Sequence, residues 1–190
     1  MSSNLQSNRT LAGVGAILLT IGSIFPPLAL VGIIILLVAL KGLSEYYNEH
    51  GIYRDALYGV VFGIIGIVVA AVAFFIFFMR TRAGIAPFAP PLHPLRALLV
   101  LILILGAMFL FFLLEATFLR KSFDRLAAKT GEKMFETAGL LLLIGAVLTI
   151  VLVGFIVLLA AWIIATVAFF SIRAAQPAPT APAPPPQPES

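Results

Sequence analysis

Glu115 is the only acid inside any long apolar stretch of this chain, with Leu113 and Leu114 before it and Ala116 after it. An acid surrounded by hydrocarbon is costly, so by default it marks a proton or cation path. Such a path would need the carboxylate aimed into a helix bundle, with a partner on another segment, and no other apolar run offers one. Glu115 also lies about one helical turn from Arg120, which opens a rival reading in which it snorkels to the membrane interface.

A second cluster spans Glu45–Tyr58, where Glu45, Glu49, His50 and Asp55 stand among all four tyrosines, Tyr46, Tyr47, Tyr53 and Tyr58. Glu45 and Glu49 share a helical face, so a carboxylate–histidine metal site is geometrically open. Tyrosine also gathers at membrane–water boundaries, and an aromatic belt accounts for the cluster with no metal. We expect neither metal nor cofactor. No Walker A, HExxH or GxSxG pattern is present, and no GxGxxG follows a strand. The lack of cysteine removes disulfides, cysteine metal sites and thiol catalysis. The expectation is a protein that is not an enzyme.

The elements that must carry these groups follow from composition. Of 190 residues, 62% are hydrophobic and only 11% charged, where a soluble domain has about 25%. Too few polar groups remain to cover a water-exposed surface, so the chain must sit in lipid or in a large assembly. Four apolar runs exceed the roughly 18 residues of a membrane helix: Leu11–Leu40, Ala56–Met79, Ala97–Leu119 and Thr137–Ile172. The first is too long for a signal peptide and has only Arg9 before it, so we expect it to be retained.

The two central runs each fit one span, 56–79 and 97–119. The outer runs are too long. Pro26 and Pro27 interrupt the first, because proline cannot donate the helical hydrogen bond and pushes Phe25 out of helical geometry. Segments 11–24 and 27–47 therefore form a hairpin. The run 137–172 holds a candidate break between Gly145 and Gly154, giving either a second hairpin or a single curved, overlong helix. A partial repeat favours the hairpin: residues 30–39 and 152–161 are identical at seven of ten positions. The fold class is thus all-α, a polytopic membrane helix bundle of four to six segments with two central spans flanked by hairpins. Residues 1–10 read as a short polar N-terminus, and residues 173–190 as a disordered proline- and alanine-rich tail.

Orientation follows the cations. The loop 120–136 carries Arg120, Lys121, Arg125, Lys129 and Lys133, and shares a side with the loop 41–55; the loop 80–96 has three arginines among four prolines. The first two loops are expected in the cytoplasm and the third outside. Phe123, Leu126, Ala127, Thr130 and Met134 recur at helical spacing between the five cations. That pattern fits a short helix on the inner leaflet facing anionic headgroups, or an ordinary solvated loop. The net charge of +4 is explained by this loop, so nucleic acid is not expected as a partner.

Gly59, Gly63, Gly66, Ala70 and Ala73 form a small-residue stripe on one helix face, which lets backbones approach closely. It reads as internal helix packing or as a homodimer seam. Within the tail, Pro179-Thr180-Ala181-Pro182 fits PxxP.

Several strings together resemble a known family. They are Leu11–Leu19, Val38–Tyr47 with its Lys41-Gly42-Leu43-Ser44-Glu45-Tyr46-Tyr47 core, Ala138–Ala146 and Ala161–Phe170. The chain is similar over about residues 10–172 to archaeal multi-pass membrane proteins classed as domain of unknown function nine-nine-six. The resemblance implies an archaeal cell-membrane protein and carries over no functional residue. The leading expectation is a non-catalytic scaffold or accessory subunit in the bilayer, self-associating or joined to a membrane-complex partner. The alternative is a small ion- or solute-conducting channel or transporter using Glu115.

Overall fold

Proline and glycine punctuate the chain into helical hairpins. The computed structural model describes residues 2–23, 25–82, 94–149 and 153–173. Among them are six α-helices and no strand: α1 (Ser2–Gly22), α2 (Pro26–Tyr46), α3 (His50–Arg82), α4 (Pro94–Thr130), α5 (Met134–Leu148) and α6 (Gly154–Ser171).

Pro26 opens α2, where its missing N–H is no loss, and Phe25 before it is extended at φ −123°, ψ 90°. Gly22 permits the tight return, since a methyl there would lie 2.5 Å from the Ala29 backbone nitrogen. The α2–α3 turn is locked by Glu49 N–H donating to Ser44 O (2.9 Å) and the Ser44 hydroxyl donating to Glu49 O (3.0 Å). Asn48 sits there at φ 50°, a left-handed conformation that asparagine tolerates better than most residues. The C-terminal run breaks where its glycines lie. Helix α5 ends at Leu148, and a side chain on Gly154 would overlap Gly145 O and the Thr149 nitrogen. The two expected hairpins are therefore both present, and the single overlong helix is not.

Each helix packs on its neighbours in sequence, and α1 packs on α6, so the six close into a ring. The extensive contacts are α1 with α2, α3 with α4, and α5 with α6. The α2–α3 and α4–α5 connections lie at one end of the ring. The N-terminal half of α1 and the end of α6 lie there too, where Arg9 Nη1 donates to Ile172 O at 2.6 Å. This polar face gathers most of the described charges. A core of Phe123, Phe135 and Phe169 lies just beneath it, with Phe135 and Phe169 centroids 4.9 Å apart and Trp162 edge-on to Phe123.

The short polar N-terminus is helical from Ser2 on, with Leu5 buried in the core and the Asn8 side chain against Gly42. One sequence expectation changes. The segment 120–136 is neither a separate inner-leaflet helix nor a solvated loop over most of its length. Helix α4 simply continues to Thr130 and ends at Gly131, whose φ of 74° suits glycine. The apolar stripe of Phe123, Leu126 and Ala127 faces the protein core and not lipid, since all three are buried.

Four helices are long and apolar enough to cross a membrane: Pro27–Tyr46, His50–Ile76, Leu98–Thr130 and Gly154–Ser171. Along α3 and α4, residues such as Ile67, Phe74, Leu98 and Leu103 are exposed, as expected of a surface solvated by lipid. The central part of the proline loop and the PxxP-containing tail from residue 174 onward lie outside the described residues.

Candidate functional site

The polar face is held by one ionic cluster. Arg125 of α4 donates from Nε to Asp55 Oδ2 at 2.7 Å and reaches Glu49 Oε1 through Nη1 at 3.3 Å. Lys129 takes the other Glu49 oxygen at 3.4 Å. Gly51 makes the approach possible: a methyl there would stand 2.8 Å from the Arg125 Cδ. Next to this, the buried Ser122 hydroxyl donates to Ile52 O at 2.7 Å. Asp55 is only 6% exposed, so its charge depends on its cations, Arg125 at 2.7 Å and the more exposed Arg54 at 3.7 Å. The cluster fastens the start of α3 to the C-terminal end of α4. Of the five cations expected to meet anionic headgroups, Arg125 and Lys129 are thus engaged by protein carboxylates. Arg120 pairs with Asp124 at 3.6 Å, and Lys121 lies 5.1 Å from the Phe118 ring centre.

The metal alternative at Glu45, Glu49 and His50 finds a different use of its residues. Glu49 is spent on Arg125 and Lys129, and among the described residues no group of three ligating side chains converges. Tyr47 is half-buried, and burial, helped by neighbouring Tyr46, lifts its phenol above its ordinary 10. It is a neutral phenol at neutral pH, not a phenolate ligand. Tyr46 and Tyr47 stack edge to face at 5.0 Å.

Glu115 does not run along the surface toward Arg120. Its side chain folds over Gly63 of α3, where an added methyl would sit 2.7 Å from the carboxyl carbon. It lines a cavity of about 190 Å³ between α1, α2, α3, α4 and α6, together with Leu19, Ser23, Ile33, Leu36 and Trp162. Glu115 supplies the only charge in that lining, and the Ser23 hydroxyl is already donated to Leu19 O at 3.2 Å. No ion pair or hydrogen bond to Glu115 occurs among the described residues.

The small-residue stripe has its partner inside the same chain. A methyl on Gly59 would lie 3.1 Å from Glu115 O, and one on Gly66 would lie 3.1 Å from Phe111 Cβ. The stripe from Gly59 to Gly66 is where α3 meets α4. Ala70 and Ala73 continue the same helix, half-buried.

Sequence reasoning did not find the Arg125–Asp55–Glu49–Lys129 cluster or the cavity that Trp162 and Glu115 both line. The first had a faint signal, since charges are rare here and two sets of opposite sign flank the central spans. The second had none, because a lone tryptophan in an apolar run has no visible facing.

Six helices closed into a ring, four of the described ones long and apolar enough to cross a membrane, with the ionic groups collected at one end, define a multi-pass membrane protein. The model described as "Protein of unknown function (DUF996)" matches residues 28–163, and the chain belongs to that family. It is similar to Uncharacterized protein MJ1644 of Methanocaldococcus jannaschii, at 31% identity over 175 residues covering 88% of this chain and 93% of that one. No solved structure matches.

Proposed function

We propose that the protein is a non-catalytic membrane scaffold or accessory subunit. The observation that carries this reading is the use made of its polar groups. Arg9, Glu49, Asp55, Ser122, Arg125 and Lys129 all bind helices to one another at the polar face. Chemistry spent on holding the ring together is not available for turnover. Beyond that face the exposed apolar flank of α3 and α4 offers contact to lipid or to other membrane helices. The cation distribution supports a cytoplasmic polar face, with the segments 41–55 and 120–136 inside and the proline loop outside. Lys121 and Lys133, at that boundary, are the cations open to anionic headgroups.

A second reading, a small channel or transporter, draws on Glu115 facing a cavity and not the interface. One pair of measurements separates the two. A cysteine placed at Ile67 (62% exposed), on a chain with none of its own, is oxidised with copper phenanthroline in native membranes. In parallel, wild-type and Glu115→Gln proteins in liposomes are assayed for proton and potassium flux. The scaffold reading expects a cross-linked species through position 67 and no Glu115-dependent flux. Flux lost on Glu115→Gln, with no cross-link, overturns it.

A further inference from the structure

The cavity around Glu115 has features that neither helix packing nor the scaffold role explains. Well-packed interiors leave few voids larger than a water molecule. This recess, partly open at its rim, offers about 190 Å³, and closed cavities of about 150 Å³ lined by leucine, isoleucine and phenylalanine take up benzene. Leu19, Ile33, Leu36 and Leu40 supply an apolar wall of that kind, and Trp162 supplies an aromatic ring. Unlike those dry voids, it has one carboxyl group in its lining. Gly63 contributes room for that group, because any side chain there would collide with it. Among the described residues no cation lines the cavity: Arg120 is turned to Asp124, and Arg125 and Lys129 to Asp55 and Glu49.

We propose that this cavity is a binding site for a small hydrophobic monocation, an ammonium group carried on a compact apolar body about the size of a six-membered ring. The ammonium ion-pairs with Glu115, whose charge would otherwise stand unpartnered in an apolar surround. The ring fills the leucine and isoleucine wall. The Trp162 face adds attraction for the cation and shape for the body. An anion is refused by the carboxylate, and a divalent ion finds too few oxygen ligands. The inference stands apart from both functional readings, because binding requires neither transport nor assembly.

Trp162 is the only tryptophan in the chain, so its fluorescence reports this cavity alone. The full-length protein in lipid nanodiscs is titrated with cyclohexylammonium at pH 8, where the amine is still protonated, and in parallel with cyclohexanol. The expected result is a saturable change in Trp162 emission with the amine, at least tenfold weaker with cyclohexanol. Glu115→Gln weakens the amine response at least tenfold while leaving helical circular dichroism unchanged. Val60→Phe, which fills the cavity and keeps the carboxyl group, abolishes it. A wild-type protein that gives no saturable change overturns the proposal. So does a Glu115→Gln variant, or cyclohexanol, that titrates like the wild type with amine.

Discussion

Asp55 and Arg125, seventy residues apart in the chain, meet in a 2.7 Å hydrogen bond that ties the first turns of α3 to the last turns of α4. Asp55 is nearly buried while the guanidinium is 42% exposed. The two partners therefore do not respond alike. Arg125→Ala leaves the buried carboxylate with only the exposed Arg54, whose Nε lies 3.7 Å from Asp55 Oδ1, and costs about 1–2 kcal/mol, after allowing for the hydration of an exposed arginine. Asp55→Asn loses less, because a neutral amide needs no counter-charge. A double-mutant cycle read by thermal unfolding in detergent should give a coupling of about 1 kcal/mol or more. Additive losses would mean that the pair is decorative.

The polar face makes a topological prediction. Ala128 and Arg173 are both exposed at the same end of the ring. Cysteines placed there singly should show the same behaviour toward an impermeant maleimide, and both should be shielded in intact cells until permeabilisation. Labelling of position 173 from outside, with position 128 protected, would break the α5–α6 hairpin.

Two glycines of the central helices should behave in opposite ways. Gly59 faces the α4 backbone at 3.1 Å, so Gly59→Leu forces the helices apart and destabilises by about 1–3 kcal/mol. Gly106 has nothing within 4 Å of where a methyl would stand, so Gly106→Ala should be neutral or stabilise by about 0.5 kcal/mol through helix propensity. Melting temperatures of the two variants, measured side by side, decide this. Equal losses would contradict the α3–α4 contact described.

Phe123 is fully buried between Phe135, Phe169 and Trp162. Phe123→Ala should cost about 3–5 kcal/mol. Phe118→Ala, on the flank next to Lys121, should cost far less. Similar losses would place the core elsewhere.

How much of this could be read from sequence depended on whether the information was local. Apolar run length gave helices, and Pro26-Pro27 marked a turn because the missing donor and the restriction on Phe25 act at the position itself. The end of α4 was misjudged because the shift from apolar to basic residues at Arg120 changes the solvent, not the helix. Only Gly131 breaks the backbone. The stripe of Phe123, Leu126 and Ala127 was visible, but its periodicity says that one face is apolar and not whether lipid or protein covers it. Glu115 posed the same difficulty. Its rotamer is set by the space over Gly63, fifty-two positions away, and no pattern near Glu115 carries that fact. The ionic cluster lay further still from local reach, since it pairs residues brought together only by the hairpin.

The unequal lengths of the hairpins give the molecule a shape with a mechanical consequence. Helix α5 is about 22 Å long, and α1 runs about 20 Å from Arg9 to Gly22, both short of a hydrocarbon core of about 30 Å, whereas α3 extends about 50 Å. Six helices therefore occupy the leaflet next to the polar face, and by length only α2, α3, α4 and α6 among the described helices reach through the other. The protein is a wedge that displaces more lipid area from one monolayer than from its opposite. Chains gathered at high density would push the membrane to bulge on the broad side, as an outcome of geometry alone.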